Sequence, residues 1–386
     1  VQNRYDIVAL NVHVYPSNLT HESRILRITD ALVAADIFDE VEVVGVARTD
    51  LPEREKIDDK RTLVRIERPD FNGFGPFLSK VMITLVWSLN VFGYLRKRRV
   101  GCVNAHSLAV LPLCVIVAYF SKAKLVYDTH ELETETSGYK GIRQSLGRII
   151  ERTLIKRCDL VFVVSDSIAD WYAKTYDIVR PTVVRNIPQF TVFSGDLQKV
   201  QRTDIGVPAD KLLFIYQGGF ISGRGVERLV SNFSKLPELE LVCMGSGPLQ
   251  HLVEDAAANF TNIHYLPPVP PREVLAYTRV ADVGICLTDN SCLSHYYSLP
   301  NKVFEYLHAG LPIIVNPLLE QTSLVREFDC GWIASEHDAD FVKMLSNLGY
   351  DDILTKKRNA RSAAEKLQWS DEAARLVAAY REYRFV

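Results

Sequence analysis

KLLFIYQGGFISGRGVERL, Lys211–Leu229, compresses the architecture of the chain into nineteen residues. A short apolar run, KLLFIY, reads as a buried strand. Four glycines follow, with Arg224 between the last two, and then a segment with helical spacing. Gly218 and Gly219 permit close approach of backbone to a ligand. The helix that follows could direct amide hydrogens at phosphate, and Arg224 adds a planar cation suited to an anionic diphosphate. The glycine spacing is neither that of a P-loop nor a clean dinucleotide fingerprint, which argues against NTP hydrolysis and a nicotinamide cofactor.

The same strand–loop–helix cycle recurs on both sides of this stretch. Before it come DIVALNVH, HESRILRITDALVAAD, VEVVGVA, VGCVNAHS with LAVLPLCVIVAYF, KAKLVYDTHE with a helix near Ile142–Arg157, and DLVFVVSDS with IADWYAKTY. After it come LELVCMGSG, IHYLPPV, ADVGICLT and LPIIVNP, each tied to a helical segment. Short apolar strands alternating with longer helices predict parallel sheets covered on both faces. The pattern breaks between Asn186 and Asp210. The expected division is therefore an N-terminal domain over 1–190, a linker over 191–210 and a C-terminal domain over 211–369. A last helix over 370–386 is expected to return to the first domain. A length of 386 residues suits two domains of this kind.

Composition narrows the partners. The chain is 47% hydrophobic and 24% charged with a net charge of −2, which argues against broad nucleic-acid binding. Its seven cysteines form no CxxC pair and fit buried free thiols in a reducing compartment. With no secretory pattern at the start, a cytoplasmic location is expected. One segment, Phe77–Val100, is largely apolar and ends in Arg96, Lys97, Arg98 and Arg99. It reads as a core helix with C-terminal cations or as an interfacial helix meeting anionic lipid on the cytoplasmic face of a membrane.

Ligands of open parallel sheets collect beyond the strand C-termini, and four further places there carry candidates. In CMGSGPLQ, Gly245 and Gly247 form a second strand–glycine–helix junction open to either a structural or a ligand role. In SLPNKVFEYLHAGLPII, Ser298–Ile314, Pro300 suits an early helical position. Lys302 and Glu305 then share a face, as a phosphate contact and a ribose acceptor or as a solvated ion pair. In the first domain His106 ends one strand, and Asp128, His130 and Glu131 end the next. His21 and Arg24 open a helix after the first strand, where they suit acceptor contact or simple capping. No tight metal-ligand set recurs, and no metal or cofactor is expected.

Together, VNAHSLAVLP, LVYDTHE, VFVVSDSIAD, VVRNIP, YQGG…GRG, GSG and SLPNKVFEYLHAGLPII resemble the GT-B glycosyltransferases, and within them the retaining family 4 of bacterial polysaccharide and lipopolysaccharide assembly. The resemblance implies two Rossmann-like domains facing a cleft, with a UDP- or GDP-sugar as donor. It implies a saccharide or lipid-linked acceptor and no requirement for Mg²⁺. Glu305 resembles the ribose-binding second glutamate of the family's paired motif, and Arg224 a phosphate-binding lysine. His106 resembles the histidine that meets the transferred sugar. Pro300 and Asn301 fall where a loop meets donor sugar and phosphate. Two positions depart from the pattern: Gly219 replaces an expected arginine, for which Lys302 could compensate, and Tyr297 replaces the first glutamate. A UDP-sugar 2-epimerase of similar fold, or a non-catalytic nucleotide-sugar-binding protein, would share most of these features.

Overall fold

The computed structural model describes residues 10–20, 22–69, 76–190 and 200–383. His21, the start of the first predicted strand and 191–199 of the connection lie outside that range. The chain divides into two compact units. Unit 1 comprises Val1–Arg185 with Ser370–Val386, and unit 2 comprises Asn186–Trp369.

Unit 1 is built on eight strands. They are β1 (Leu10–Val14), β2 (Glu40–Val46), β3 (Arg54–Lys56), β4 (Arg61–Ile66), β5 (Val100–Ala105), β6 (Lys124–Asp128), β7 (Leu160–Val163) and β8 (Thr182–Val183). Their order is β3-β4-β2-β1-β5-β6-β7-β8. All neighbours are parallel except the β3–β4 hairpin. The continuous apolar runs have their cause here: Val12, Val14, Val43, Val103 and Val126 are enclosed by helices on the sheet faces. The order reverses between β1 and β5, and their register sets Val14 beside Ala105. His106 continues that edge through its amide, which donates to the Val14 carbonyl at 3.2 Å.

The helix Trp369–Glu382 completes this unit. Tyr380 donates its hydroxyl to the Asn104 side chain on β5. Glu372 accepts the Arg185 amide at 2.9 Å, and Arg375 reaches the Val183 carbonyl at 3.1 Å.

Unit 2 carries β9 (Leu213–Gly219), β10 (Glu240–Ser246), β11 (Ile263–Leu266), β12 (Val283–Cys286), β13 (Ile313–Val315) and β14 (Gly331–Ile333). All are parallel, in the order β11-β10-β9-β12-β13-β14. Leu213 and Ile215 face one apolar core and Phe214 and Tyr216 the other, the alternation expected of a central strand. The order reverses between β9 and β12, which places the Gln217–Gly219 end of β9 at the switch point of the sheet.

Candidate active site

The two glycine junctions meet in register, Gly218 beside Gly245 and Gly219 beside Ser246. Gly245 has φ +154°, and a Cβ there would fall 1.9 Å from the Gly218 carbonyl oxygen. Only a residue without a side chain lets these strand ends run so close. Gly225 is as constrained: it has φ +85°, a Cβ would lie 2.5 Å from Leu287, and it caps the helix Val226–Phe233. Arg224 is thereby held in a tight turn at the end of β9. Gly218, Gly219 and Gly245 line a pocket of about 280 Å³, with Gln217, Met244, Ser246, Pro268, Val269, Val274 and Glu305 completing its wall. Gly247 turns the chain behind it, where a Cβ would lie 2.6 Å from the Phe220 carbonyl.

The helix Asn301–His308 supplies the polar side of the pocket. Pro300 is its N-cap rather than its first helical residue, so the helix starts at Asn301 and the absent proline amide still costs no bond. Val303, Phe304, Tyr306 and Leu307 are buried beneath it. Tyr306 locks the helix to two strands: its hydroxyl accepts from the Gln217 amide and donates to the Ile285 carbonyl, each at 3.1 Å. Gly284 leaves room for that ring, since a Cβ would come 2.3 Å from it. Gln217, which sequence reading passed over, orients Glu305. Its amide nitrogen donates to the Glu305 carboxylate, while its oxygen accepts from the Thr278 hydroxyl at 2.6 Å.

Lys302 and Arg224 are both half-buried, and no carboxylate lies within salt-bridge distance of either among the described residues. The Lys302 ammonium sits 3.9 Å from the centroid of the Tyr216 ring, an attraction worth about 0.5–2 kcal/mol. Burial pulls that ammonium below the ordinary lysine range; nearby Arg224 adds to the shift and Glu305 opposes it. A cation desolvated beside another cation is tolerable where an anionic ligand completes the pair. A Cβ on Gly218 would lie 3.3 Å from the Lys302 Nζ, so the loop and the ammonium border the same space. Tyr297 is half-buried on the turn before the helix, its ring against Tyr296.

In unit 1, strands β1, β5 and β6 carry a buried polar chain. Arg24 grips Asp128 through two bonds of 2.6 and 3.1 Å and reaches the Val184 carbonyl at 2.9 Å. Asp128 lies 3.0 Å from the Nδ1 of His106 and 3.4 Å from the Nε2 of His130. The other nitrogen of His106 is 2.8 Å from Nδ1 of His13, and His13 in turn meets Asn11 at 3.0 Å. Burial alone would raise the Asp128 carboxyl, but the Arg24 guanidinium and the histidine hydrogen bonds hold it well below the usual range. Burial pulls both His13 and His106 below the ordinary imidazole range, while the Asp128 carboxylate opposes the shift at each. His106 is 1% exposed, and with Arg24 and Asp128 it is held inside the unit rather than facing solvent. His130, 23% exposed, is the member of the set that reaches the surface. Glu131 beside it is exposed.

His106, Asp128 and His130 offer three ligand atoms within 4.8 Å of one another, a spacing a metal ion could use. Asp128 already carries the Arg24 guanidinium, however, and a divalent cation added there would meet a fixed positive charge. Glu133, also passed over in the sequence, is pushed up to about 8 by burial, with Glu151, Glu131 and Asp128 adding to the shift and the Leu108 amide opposing it.

Comparison with known proteins divides the chain along the same lines. Residues 21–190 match the domain described as Glycosyltransferase Family 4, and residues 211–351 match Glycosyl transferases group 1. A Bacillus subtilis (strain 168) protein assigned by name to teichuronic acid biosynthesis, TuaH, is 22% identical over 265 residues, spanning 66% of this chain and 66% of that relative. Among solved structures, sucrose-phosphate synthase from Thermosynechococcus elongatus superposes with a TM-score of 0.79 at 14% identity, covering 97% of this chain and 98% of the other. HepE of Anabaena, solved in complex with UDP-glucose, superposes with a TM-score of 0.72 at 11% identity, covering 97% and 99%.

Proposed function

The chain belongs to the GT-B glycosyltransferases, and from that premise we propose that it moves a sugar from a nucleoside-diphosphate donor onto an acceptor hydroxyl in the assembly of a cell-surface polysaccharide or glycolipid. The observation that carries this reading is the pair of half-buried cations, Lys302 and Arg224, with no salt-bridge carboxylate among the described residues, beside a glycine-lined pocket. Uridine or guanosine diphosphate supplies the missing anion. UDP-glucose in HepE, of the same fold, is consistent with such a donor.

In this reading Glu305, held by Gln217, accepts hydrogen bonds from the ribose diol. Pro300, Asn301, Gly218, Gly219 and Gly245 border the phosphates and sugar, and Gly247 supports the second turn. Lys302 and Arg224 neutralise the charge that develops on the departing diphosphate, so turnover is expected to survive removal of divalent metal. The bond from the sugar's anomeric carbon to the phosphate oxygen breaks, and a bond to the acceptor oxygen forms on the same face. The acceptor proton passes to a diphosphate oxygen, with retention of configuration. The acceptor, a saccharide or a lipid-linked sugar, is assigned to unit 1 at the β1–β5 switch point. There Glu131 and the partly exposed His130 can meet it, and Arg24, His106 and Asp128 fix the orientation of His130. We place the reaction at the cytoplasmic face of the inner membrane.

A nucleotide-sugar screen against lipid-linked and soluble acceptors tests this, reading nucleoside diphosphate release and product mass together. Release with glycosylated product is expected. Release without any acceptor, or an isomerised donor, would refute transfer.

A further inference from the structure

The helix Gly141–Leu154 is packed the wrong way round for an ordinary surface helix. The residues it buries fully are Gly147 and Glu151, while Ile142, Leu146 and Ile149, four and three residues apart on one stripe, stand in solvent. Ile142 is 89% exposed. What anchors the helix is polar: the Glu151 carboxylate accepts the hydroxyls of Tyr127, Tyr172 and Tyr176 at 2.7–2.8 Å. Three tyrosines on one buried carboxylate do the work that an apolar stripe usually does, and so leave that stripe facing outward.

Two neighbouring helices extend the same surface. The helix Leu111–Ser121 packs against Gly141–Leu154 and against Pro76–Leu95, the second contact including Phe120 edge-on to Phe92 at 5.5 Å. Tyr119 and Phe120 are 76% and 68% exposed, and Leu85 and Leu89 more than half exposed. Isolated exposed apolar residues need no explanation, but a row across three adjacent helices marks an interaction surface. Along two of these helices and the turns that follow them nearly all the charge in the sequence is positive, although Arg148 is engaged by the buried Glu135. Between Pro76 and Arg99 there are five cations and no acid. Between Lys140 and Arg157 there are six cations, and the single acid is the buried Glu151. Arg98 pairs with Glu40 and Glu42, whereas Arg96, Lys97 and Arg99 have no carboxylate within salt-bridge distance among the described residues. No helix among the described residues is long and apolar enough to cross a membrane.

We propose that the outer faces of Pro76–Leu95, Leu111–Ser121 and Gly141–Leu154 form one docking surface for an anionic lipid bilayer, with aromatic and aliphatic side chains entering the interface and the flanking cations meeting headgroups. A soluble acidic protein would match the charge but not the breadth of the apolar row, and a second copy of the chain would bring cations against cations. Docking depends on the transferase reading for its purpose, since it would hold unit 1 against a lipid-linked acceptor.

Flotation of the full chain with vesicles tests the surface directly. Equimolar phosphatidylglycerol and phosphatidylcholine should carry the protein upward, pure phosphatidylcholine much less, and high salt should weaken the association. Replacing Leu85, Tyr119 and Ile142 together by serine should weaken partition roughly a hundred-fold, and Arg96→Gln with Lys97→Gln roughly ten-fold. Circular dichroism and nucleotide binding should be unchanged in both variants, because all five side chains are exposed. Absence of flotation with either vesicle, flotation of both variants like the wild type, or self-association that the serine variant abolishes in place of vesicle binding would each overturn the proposal. Nucleotide binding measured on the same samples separates the two readings: docking can fail while nucleotide binds, and the transferase reading can fail while vesicles bind.

Discussion

Lys302→Met separates a residue that serves the fold from one that serves a ligand. Methionine keeps the unbranched stem against Tyr216 and removes the charge. In the folded protein the ammonium gains about 0.5–2 kcal/mol from the Tyr216 ring. Against that stand its desolvation, which costs several kcal/mol for an ion taken from water, and the repulsion of Arg224. The balance predicts that the variant melts at the same temperature or higher, by up to a few degrees. Binding of UDP or GDP should move the opposite way. Losing one charge-assisted contact to a diphosphate costs about 1.5–3 kcal/mol, or roughly 10–150-fold in affinity. The pH dependence carries the same signature. Burial holds the Lys302 ammonium below its usual range, and a bound diphosphate would raise it again. Wild-type binding should therefore take up protons at alkaline pH and weaken as pH rises, and the methionine variant should lose that dependence. Calorimetry in buffers of different ionisation enthalpy and a thermal melt are sufficient assays. A variant that melts several degrees lower and binds nucleotide unchanged would refute the reasoning.

Gln217→Leu should lower nucleotide affinity by about 1–2 kcal/mol without touching the nucleotide, because Glu305 loses the donor that aims it; unchanged calorimetry would count against that role. Gly245→Ala should destabilise by more than about 3 kcal/mol, since the new methyl falls 1.9 Å from the Gly218 carbonyl; a normal chemical denaturation midpoint would contradict the close approach. Glu133→Gln should raise the melting temperature at pH 8 and leave it nearly unchanged at pH 4. A carboxyl held at about 8 in the folded state makes the native protein lose stability as pH rises from the unfolded value near 4.3, and a melting profile parallel to wild type across that window would dismiss the effect.

The parts of the fold legible in the sequence are those where one residue type has a single physical use. The glycines at 225 and 245 stand where a Cβ has no room, Gly218 takes a φ of +120° that side chains disfavour, and valine-rich runs become strands enclosed on both faces. The β3–β4 hairpin was not legible: REK and RTLVRI mix charge and apolar residues without the continuous run of a central strand, as suits the edge of a sheet. Candidate residues could be named from position at strand ends, but their pairings could not. Arg24 and Asp128 are 104 residues apart and fully enclosed together, so an arginine that reads as an acceptor contact becomes half of an internal ion pair. His13 looked like one more residue in an apolar strand, and only the β1–β5 register brings its ring to His106. The reversed helix shows the limit most clearly. Its pattern at Ile142, Leu146 and Ile149 announces an amphipathic helix, but periodicity fixes a stripe and not which side of it meets the sheet.

Tyr380 closes the polar chain that runs from Asn104 through Asn11 to His13 and His106, and it does so across 276 residues of sequence. Unit 2 is continuous, so it can finish folding as it leaves the ribosome. Unit 1 cannot: its buried polar network stays open until the helix Trp369–Glu382 has been synthesised. During that interval the unit must persist without this strut, and a chain lacking Ser370–Glu382 would carry a folded unit 2 and an unfinished unit 1. Quality control that recognises exposed interior would find its target in unit 1, around the seat of that helix.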